Sequence, residues 1–381
     1  MVRGLVIVIM AIDHVRDFTM IGTEFDPMAN PNISAGLFVT RWITHFCAPV
    51  FVLLAGTSAG LMTARKSRHA LARFLVSRGA WLIFVEMFVI SNLTTFSPRG
   101  VPELGGSIVA AMQVIWAIGA SMLVLAALQY AGRRVCLLAG IAILVSHNLV
   151  DSFWPANALL EDRPLWAALH SQMSVHAGPF HFVFIYPLVP WIGVMLVGFG
   201  VAELFEQSAG RRNEILLRGG LALTVLFVVL RALHTYGDPN PWQVQPGGTT
   251  ATVIDFFNTT KYPPSLLFLL MTLGPAAVLC ALADRWTGFL KNALVTFGRA
   301  PFAFYVTHFL LIHLIAVALG VAQGFGARPF LTIFFFFPKG YGVGLPGVYA
   351  LWAVVIVALY PLCRWVAAVK ARRRDRWLSY V

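Results

Sequence analysis

Apolar residues gather into stretches of spanning length at roughly 4–20, 39–63, 79–97, 108–131, 135–150, 180–204, 214–233, 263–283, 299–322 and 346–368. A run of about twenty apolar residues is what a helix needs to cross a bilayer. The strands of an outer-membrane barrel would instead give short alternating segments. The pattern therefore predicts an all-α, polytopic integral membrane protein of about ten transmembrane helices. It reads as a single domain over 1–381, with no soluble module at either end. Residues 286–298 read as an interfacial helix ahead of the ninth span.

The connectors alternate in charge. One set carries Arg65, Lys66, Arg68, Arg73 and Arg78, then Arg133 and Arg134, then Arg211, Arg212 and Arg218. It continues with Arg285, Lys291 and Arg299, and ends with Lys370, Arg372, Arg373, Arg374 and Arg376. The other set is poorer, holding mainly Arg99, Arg163, Lys261, Arg328 and Lys339. The positive-inside rule assigns the first set, with Arg3, to the cytoplasm, so both termini lie inside. A bacterial inner membrane suits this reading. The longer outer connectors, 21–38, 151–179, 234–262 and 323–345, are rich in Pro, Gly, Asn and aromatics, as loops over a site often are.

Composition sharpens this picture. The chain has 381 residues, 59% hydrophobic and only 12% charged, against about 25% charged in soluble domains. The net charge of +12 follows the topology, so it reads as an orientation signal and argues against a nucleic-acid footprint. Cys47, Cys136, Cys280 and Cys363 are scattered without a C-x-x-C pair, which predicts small core residues, no disulfide framework and no metal. The first twenty residues have the Arg and apolar stretch of a signal peptide. They run into charged residues without a cleavage site, and so read as a retained first helix.

Chemistry concentrates in that helix. Asp13, His14, Arg16 and Asp17 lie in its outer half, and ionisable groups inside a span are functional candidates by default. Asp13 and Asp17 are one turn apart, and Asp17 is three residues from His14, so the three share a face. A carboxylate there would orient the imidazole and raise its basicity, as a general base requires. Arg3 lies eleven residues before His14, on nearly the same face and roughly 16 Å away. That separation suits a phosphopantetheine arm, and Arg3 also fits a simple positive-inside anchor. In the second span Arg41 and His45 are one turn apart; a snorkelling Arg with a hydrogen-bonded His is the plainer alternative. Ala55 to Gly60 supplies small residues for helix contact.

Other spans add polar candidates. Glu86 lies two turns deeper than Arg78 in the third span without a local partner, and pairing with an Arg or His of another helix or binding substrate would each answer its cost. Gln113 is a weaker candidate in the fourth. Pro187 and Pro190 interrupt the sixth span, which reads from His181 through Tyr186 to Trp191; freed carbonyls there are tolerated only where they line protein or a cavity. The ninth reads Phe297 to His308, with Tyr305 and His308 on one face and His313 elsewhere. No Walker, Rossmann, G-x-S-x-G or H-E-x-x-H pattern is present. The Asn-x-Ser/Thr triplets at Asn32, Asn92 and Asn258 arise readily by chance.

Several stretches together resemble the membrane domain of the heparan-α-glucosaminide N-acetyltransferase family and its bacterial relatives. They are Arg3-Gly4 leading to Asp13-His14, the Arg41-to-Pro49 stretch, Tyr186 to Met195, Lys261 to Pro275, and Phe297 to His308. The spacing of Arg3 and His14 is also similar to the Arg-x10-His pattern of the membrane acyltransferase-three family. The resemblance implies a transmembrane acyltransferase fold. It implies acetyl-CoA or another acyl-CoA as co-substrate from the cytoplasm, and a sugar-like acceptor amine or hydroxyl from the outer side. His14 would be catalytic, with Asp13 or Asp17 orienting it, and Arg3, Arg78 and Arg299 would hold CoA phosphates. Arg41, His45, Glu86, Gln113, Tyr186, Trp191, Lys261 and His308 would line the acceptor side. Membrane lipid is the surrounding partner, and a homodimer is one assembly open to it.

One departure stands out. In the lysosomal enzyme an asparagine matches His14, and the catalytic histidine lies in the following loop; residues 18–38 here contain none. The base is then His14 or His45, and either direct transfer or an acyl-histidine intermediate fits. A proton-coupled transporter using the Asp13-His14-Arg16-Asp17 cluster as a relay is the rival reading, although no internal repeat favours it. A non-catalytic scaffold would hardly carry such costly charges.

Overall fold

A computed structural model describes residues 1–22, 28, 33–152, 164–373, 375 and 378. Arg163, Arg374, Arg376 and Asn32 lie outside the described residues, as do parts of the 21–38 and 151–179 connectors. The helices run in chain order α1 (Val2–Thr19), α2 (Ala35–Thr44), α3 (Cys47–Met62), α4 (Arg68–Val85), α5 (Ser91–Thr95), α6 (Val114–Leu128), α7 (Arg133–Ser146) and α8 (Pro164–Leu169). They continue with α9 (Leu188–Gly200), α10 (Ala209–Leu233), α11 (Thr249–Phe257), α12 (Leu266–Leu282), α13 (Gly288–Arg299), α14 (Pro301–Ala322) and α15 (Leu345–Arg372). Three short strands, β1 (Ile108–Met112), β2 (Met173–Ala177) and β3 (Phe180–Phe184), complete the order.

Nine helical stretches among the described residues are long and apolar enough to cross a membrane. They match nine of the ten expected spans. The tenth, α1, is 18 residues long but carries Arg3, Asp13, Arg16 and Asp17. Its charge is accommodated because it runs inside the protein, packed on α2, α3, α13, α14 and α15. Elsewhere α10 packs along α12, α3 and α7 along α9, and α4 along α6. One apolar core runs from Val6 to Val366. The outward faces of α10 and α15 keep Leu221, Val225, Val354 and Val357 exposed, as lipid-facing helices do.

Small residues set the closest approaches. A Cβ on Gly4 would lie 1.7 Å from the Leu294 carbonyl oxygen, so only glycine lets α1 press onto α13. A Cβ on Gly56 would lie 2.1 Å from the Met195 carbonyl oxygen, which fixes α3 against α9 in the same way.

Several span boundaries differ from the hydropathy reading, each for a local reason. The second span breaks at His45–Phe46 into α2 and α3. Pro49 has no N–H to return to the His45 carbonyl, so the helix cannot run through. The third span carries a π-helical turn over Glu86–Ile90 before α5. The fourth and sixth expected spans each begin with a strand instead of a helix. β1 and β3 pair in parallel with Ile108 opposite Phe180, and β2 pairs antiparallel on the other edge of β3. Their β-branched and aromatic residues suit a pleated surface, and Pro187 drives Tyr186 out of the helical region. Gln113 therefore precedes α6, His181 lies on β3, and Tyr186 lies in the turn before α9. Likewise Lys261 lies in the loop before α12. Arg299 ends the separate helix α13, and Pro301 begins α14 at a first-turn position that costs no hydrogen bond.

Candidate active site

The last turns of α1 bring four ionisable groups to one place. Arg16, only 3% exposed, lies 3.1 Å from Asp13 Oδ1 and also pairs with Asp17. Arg41 of α2 pairs with Asp13 through its other oxygen. Asp13 is thus held between two guanidinium groups and is not the carboxylate that faces the histidine. That one is Asp17, whose Oδ2 lies 4.0 Å from His14 Nδ1. Opposite polarity at 4.0 Å is electrostatic guidance of the ring, short of a hydrogen bond.

α14 forms the other side of the His14 ring. The ring centroids of His308 and Phe309 lie 5.1 and 4.5 Å from it. His308 is fully buried, and its Nδ1 faces the Phe304 and Tyr305 carbonyls. Those are acceptors only, so Nδ1 carries the proton and Nε2 is the basic nitrogen. Among the described residues Nε2 has no hydrogen-bond partner. The Tyr305, His308 and Phe309 spacing is that of one helical face.

His14 opens on a cavity of about 580 Å³. Asp13, Asp17, Arg41, Gln113, Tyr186 and Lys261 also line it. The strands supply its wall through Val109, Ala111, His181 and Val183, and Phe334 to Phe336 from the loop after α14 reach it as well. A second chamber of about 300 Å³ adjoins it and is lined by His45, Arg41, Arg231 and Lys261. Arg41, Gln172, Lys261 and Tyr262 belong to both chambers. On the rim, His181 Nδ1 lies 3.3 Å from His176 Nδ1. Burial and the neighbouring His176 hold the His181 imidazole below its ordinary value.

Three expected acceptor-side residues do not line these chambers; one is His308, which lies beside the His14 ring, and the others are Glu86 and Trp191. Glu86 Oε2 accepts the N–H groups of Ile115 and Trp116, both at 3.0 Å, so its partner is the first turn of α6 and neither an arginine nor a histidine. Trp191 is fully buried with its ring 5.3 Å from that of Tyr186, which it supports from behind.

The start of α1 carries the basic groups. Arg3 Nη2 donates to Ser58 Oγ at 2.9 Å, and the Arg78 guanidinium lies 5.4 Å over the Phe302 ring. Lys370 Nζ reaches the Arg299 carbonyl at 3.5 Å. Lys370 thus joins the three expected arginines. Nothing in its sequence marks it apart from its basic neighbours, whereas Arg16 and Phe309 fall at helical spacing from residues already of interest. His313 is held by the Leu93 and Phe330 carbonyls, at 2.8 and 2.7 Å, away from the cavity.

The chain is thus a helical membrane protein with a histidine–carboxylate pair toward one end of a central helix and basic residues around the other. The family model of the heparan-alpha-glucosaminide N-acetyltransferase catalytic region matches residues 1–237. The chain belongs to that family of transmembrane acetyltransferases. No curated protein matches the chain.

Proposed function

We propose that the protein moves an acyl group, acetyl in the first instance, from cytoplasmic acyl-CoA to an amine or hydroxyl of an extracytoplasmic sugar. The observation that carries this reading is His14, open to the 580 Å³ cavity with Asp17 4.0 Å from its Nδ1. With Nδ1 turned to Asp17, Nε2 is the basic nitrogen that meets the acceptor. It takes the proton as the acceptor oxygen or nitrogen attacks the thioester carbon. The C–S bond then breaks, and the proton passes to the CoA thiolate. Of the two candidate bases, His14 is favoured because His45 opens only on the smaller chamber.

Arg3, Arg78, Arg299 and Lys370 suit the phosphates of CoA, which charge-assisted hydrogen bonds would hold. From there to His14 is roughly 16 Å along α1. Positive-inside charge supports both termini in the cytoplasm of a bacterial inner membrane. The main core, which runs from Val6 to Val366, supports one acyltransferase domain over 1–381.

Purified protein incubated with radiolabelled acetyl-CoA tests the reading. Binding is expected in both proteins, with slow hydrolysis that vanishes in His14→Ala. No binding or hydrolysis, with His14→Ala behaving as wild type, would sink it.

A further inference from the structure

Lys261 is 9% exposed on the wall common to the two chambers. Its ammonium lies 5.1 Å from the Tyr262 ring centroid. Among the described residues it has no carboxylate within ion-pair distance. The nearby acids are taken: Asp13 by Arg16 and Arg41, Asp17 by Arg16. Asp255 Oδ2, in the smaller chamber, accepts from the Gln243 N–H and the Gln245 amide. Arg231 there donates to the carbonyls of Asn240, Asp255, Phe256 and Asn258. His45 is 2% exposed, and its Nδ1 has no hydrogen-bond partner among the described residues. An ammonium with a ring contact but no carboxylate, and a buried ring nitrogen without a hydrogen-bond partner, on two residues that line one polar chamber, are an incomplete set of donors.

We propose that the smaller chamber is a subsite for an anionic oxyacid group of the acceptor: a carboxylate, sulfate or phosphate. Lys261 supplies the charge and His45 a neutral hydrogen bond. The acceptor's reacting amine or hydroxyl then lies in the larger chamber beside His14, and Lys261 and Arg41 stand at the junction. Calling this ligand the acceptor rests on the acyl-transfer reading; the anion site itself does not. The chamber's donors also imply selectivity, because a neutral analogue would leave Lys261 buried and unpaired.

The experiment is direct binding to the full chain in lipid nanodiscs, without donor. The probes are glucose, glucuronate, a glucose sulfate and a glucose phosphate. At least one anionic sugar is expected to bind ten-fold or more tightly than glucose. That preference is expected to disappear in Lys261→Met and to survive in part in Lys261→Arg. The three anionic arms separate the oxyacid types. Equal binding of glucose and all three, or a preference that persists in Lys261→Met, overturns the proposal. If the preference is found but acetyl-CoA is neither bound nor hydrolysed, the acyl-transfer reading fails and the anion subsite stands.

Discussion

Asp13 of α1 and Arg41 of α2 form an ion pair beneath the cavity, and Arg16 holds the other Asp13 oxygen at 3.1 Å. Removing one member strands a buried charge, which typically costs about 3–5 kcal/mol. Asp13→Asn is therefore expected to lower the melting temperature of the detergent-purified protein more than any exposed substitution does. Arg41→Met combined with Asp13→Asn is expected to cost less than the two single changes summed. An additive result would mean the pair does not couple.

The proposed mechanism gives His14 and Asp17 separable roles. Loss of a general base removes about 10²- to 10⁴-fold in rate, so His14→Ala is expected to abolish acetyl transfer while the protein keeps its elution profile. Asp17→Asn should lower kcat and leave the KM for acetyl-CoA little changed, because Asp17 guides the ring and does not face the basic end of α1. Steady-state kinetics with both substrates varied checks the split.

Gly4 and Gly298 face each other across α1 and α13, yet they differ in tolerance. A Cβ at Gly4 meets the Leu294 carbonyl at 1.7 Å, whereas one at Gly298 meets Gly4 N at 3.1 Å. Gly4→Ala is expected to force the helices apart, at a cost of about 1–3 kcal/mol or more. Gly298→Ala should cost clearly less. Thermal stability of the two variants in the same detergent gives the comparison.

The cavity rim should respond to pH through His181. Its folded-state value is lowered by burial and by His176. The unfolded hairpin therefore binds more protons than the folded one, and stability rises with pH. The contribution is complete above the ordinary imidazole value, near pH 6.5, and falls away as pH drops below it. Amide exchange in β2 and β3 is expected to accelerate below about pH 6. His176→Asn, which removes the neighbouring ring, should weaken that dependence.

The spans were legible in the sequence because twenty apolar residues have few alternatives. So was the His14 cluster, since charge inside a helix of that kind is conspicuous. What hydropathy cannot carry is the difference between a buried strand and a buried helix. Ile108–Met112 and Phe180–Phe184 are as apolar as the helices they lead into, and only Pro187 and the β-branched and aromatic content hinted at a change. Glu86 illustrates a second blind spot. Its partner is a pair of backbone N–H groups 29 and 30 residues along, and a backbone donor has no residue identity to recognise. Lys261 was visible as a cation near a helix start. Its isolation depends on where the acids of α1 find their own partners.

The burial of α1 has a consequence for how the molecule is made. A charged side chain at a helix centre disfavours insertion by about 2.5–3.5 kcal/mol, so α1 is poorly equipped to enter a bilayer unaided. Its companions α13, α14 and α15 lie far along the chain from it and are synthesised well after it. α1 must therefore wait for these three before its charges are enclosed, and His308 cannot reach His14 until then. A chain stopped at residue 237 contains the whole family-matched region, yet it would lack Lys261, His308 and the walls around α1. Such a fragment would leave the charges of α1 unenclosed on the side that α13, α14 and α15 cover.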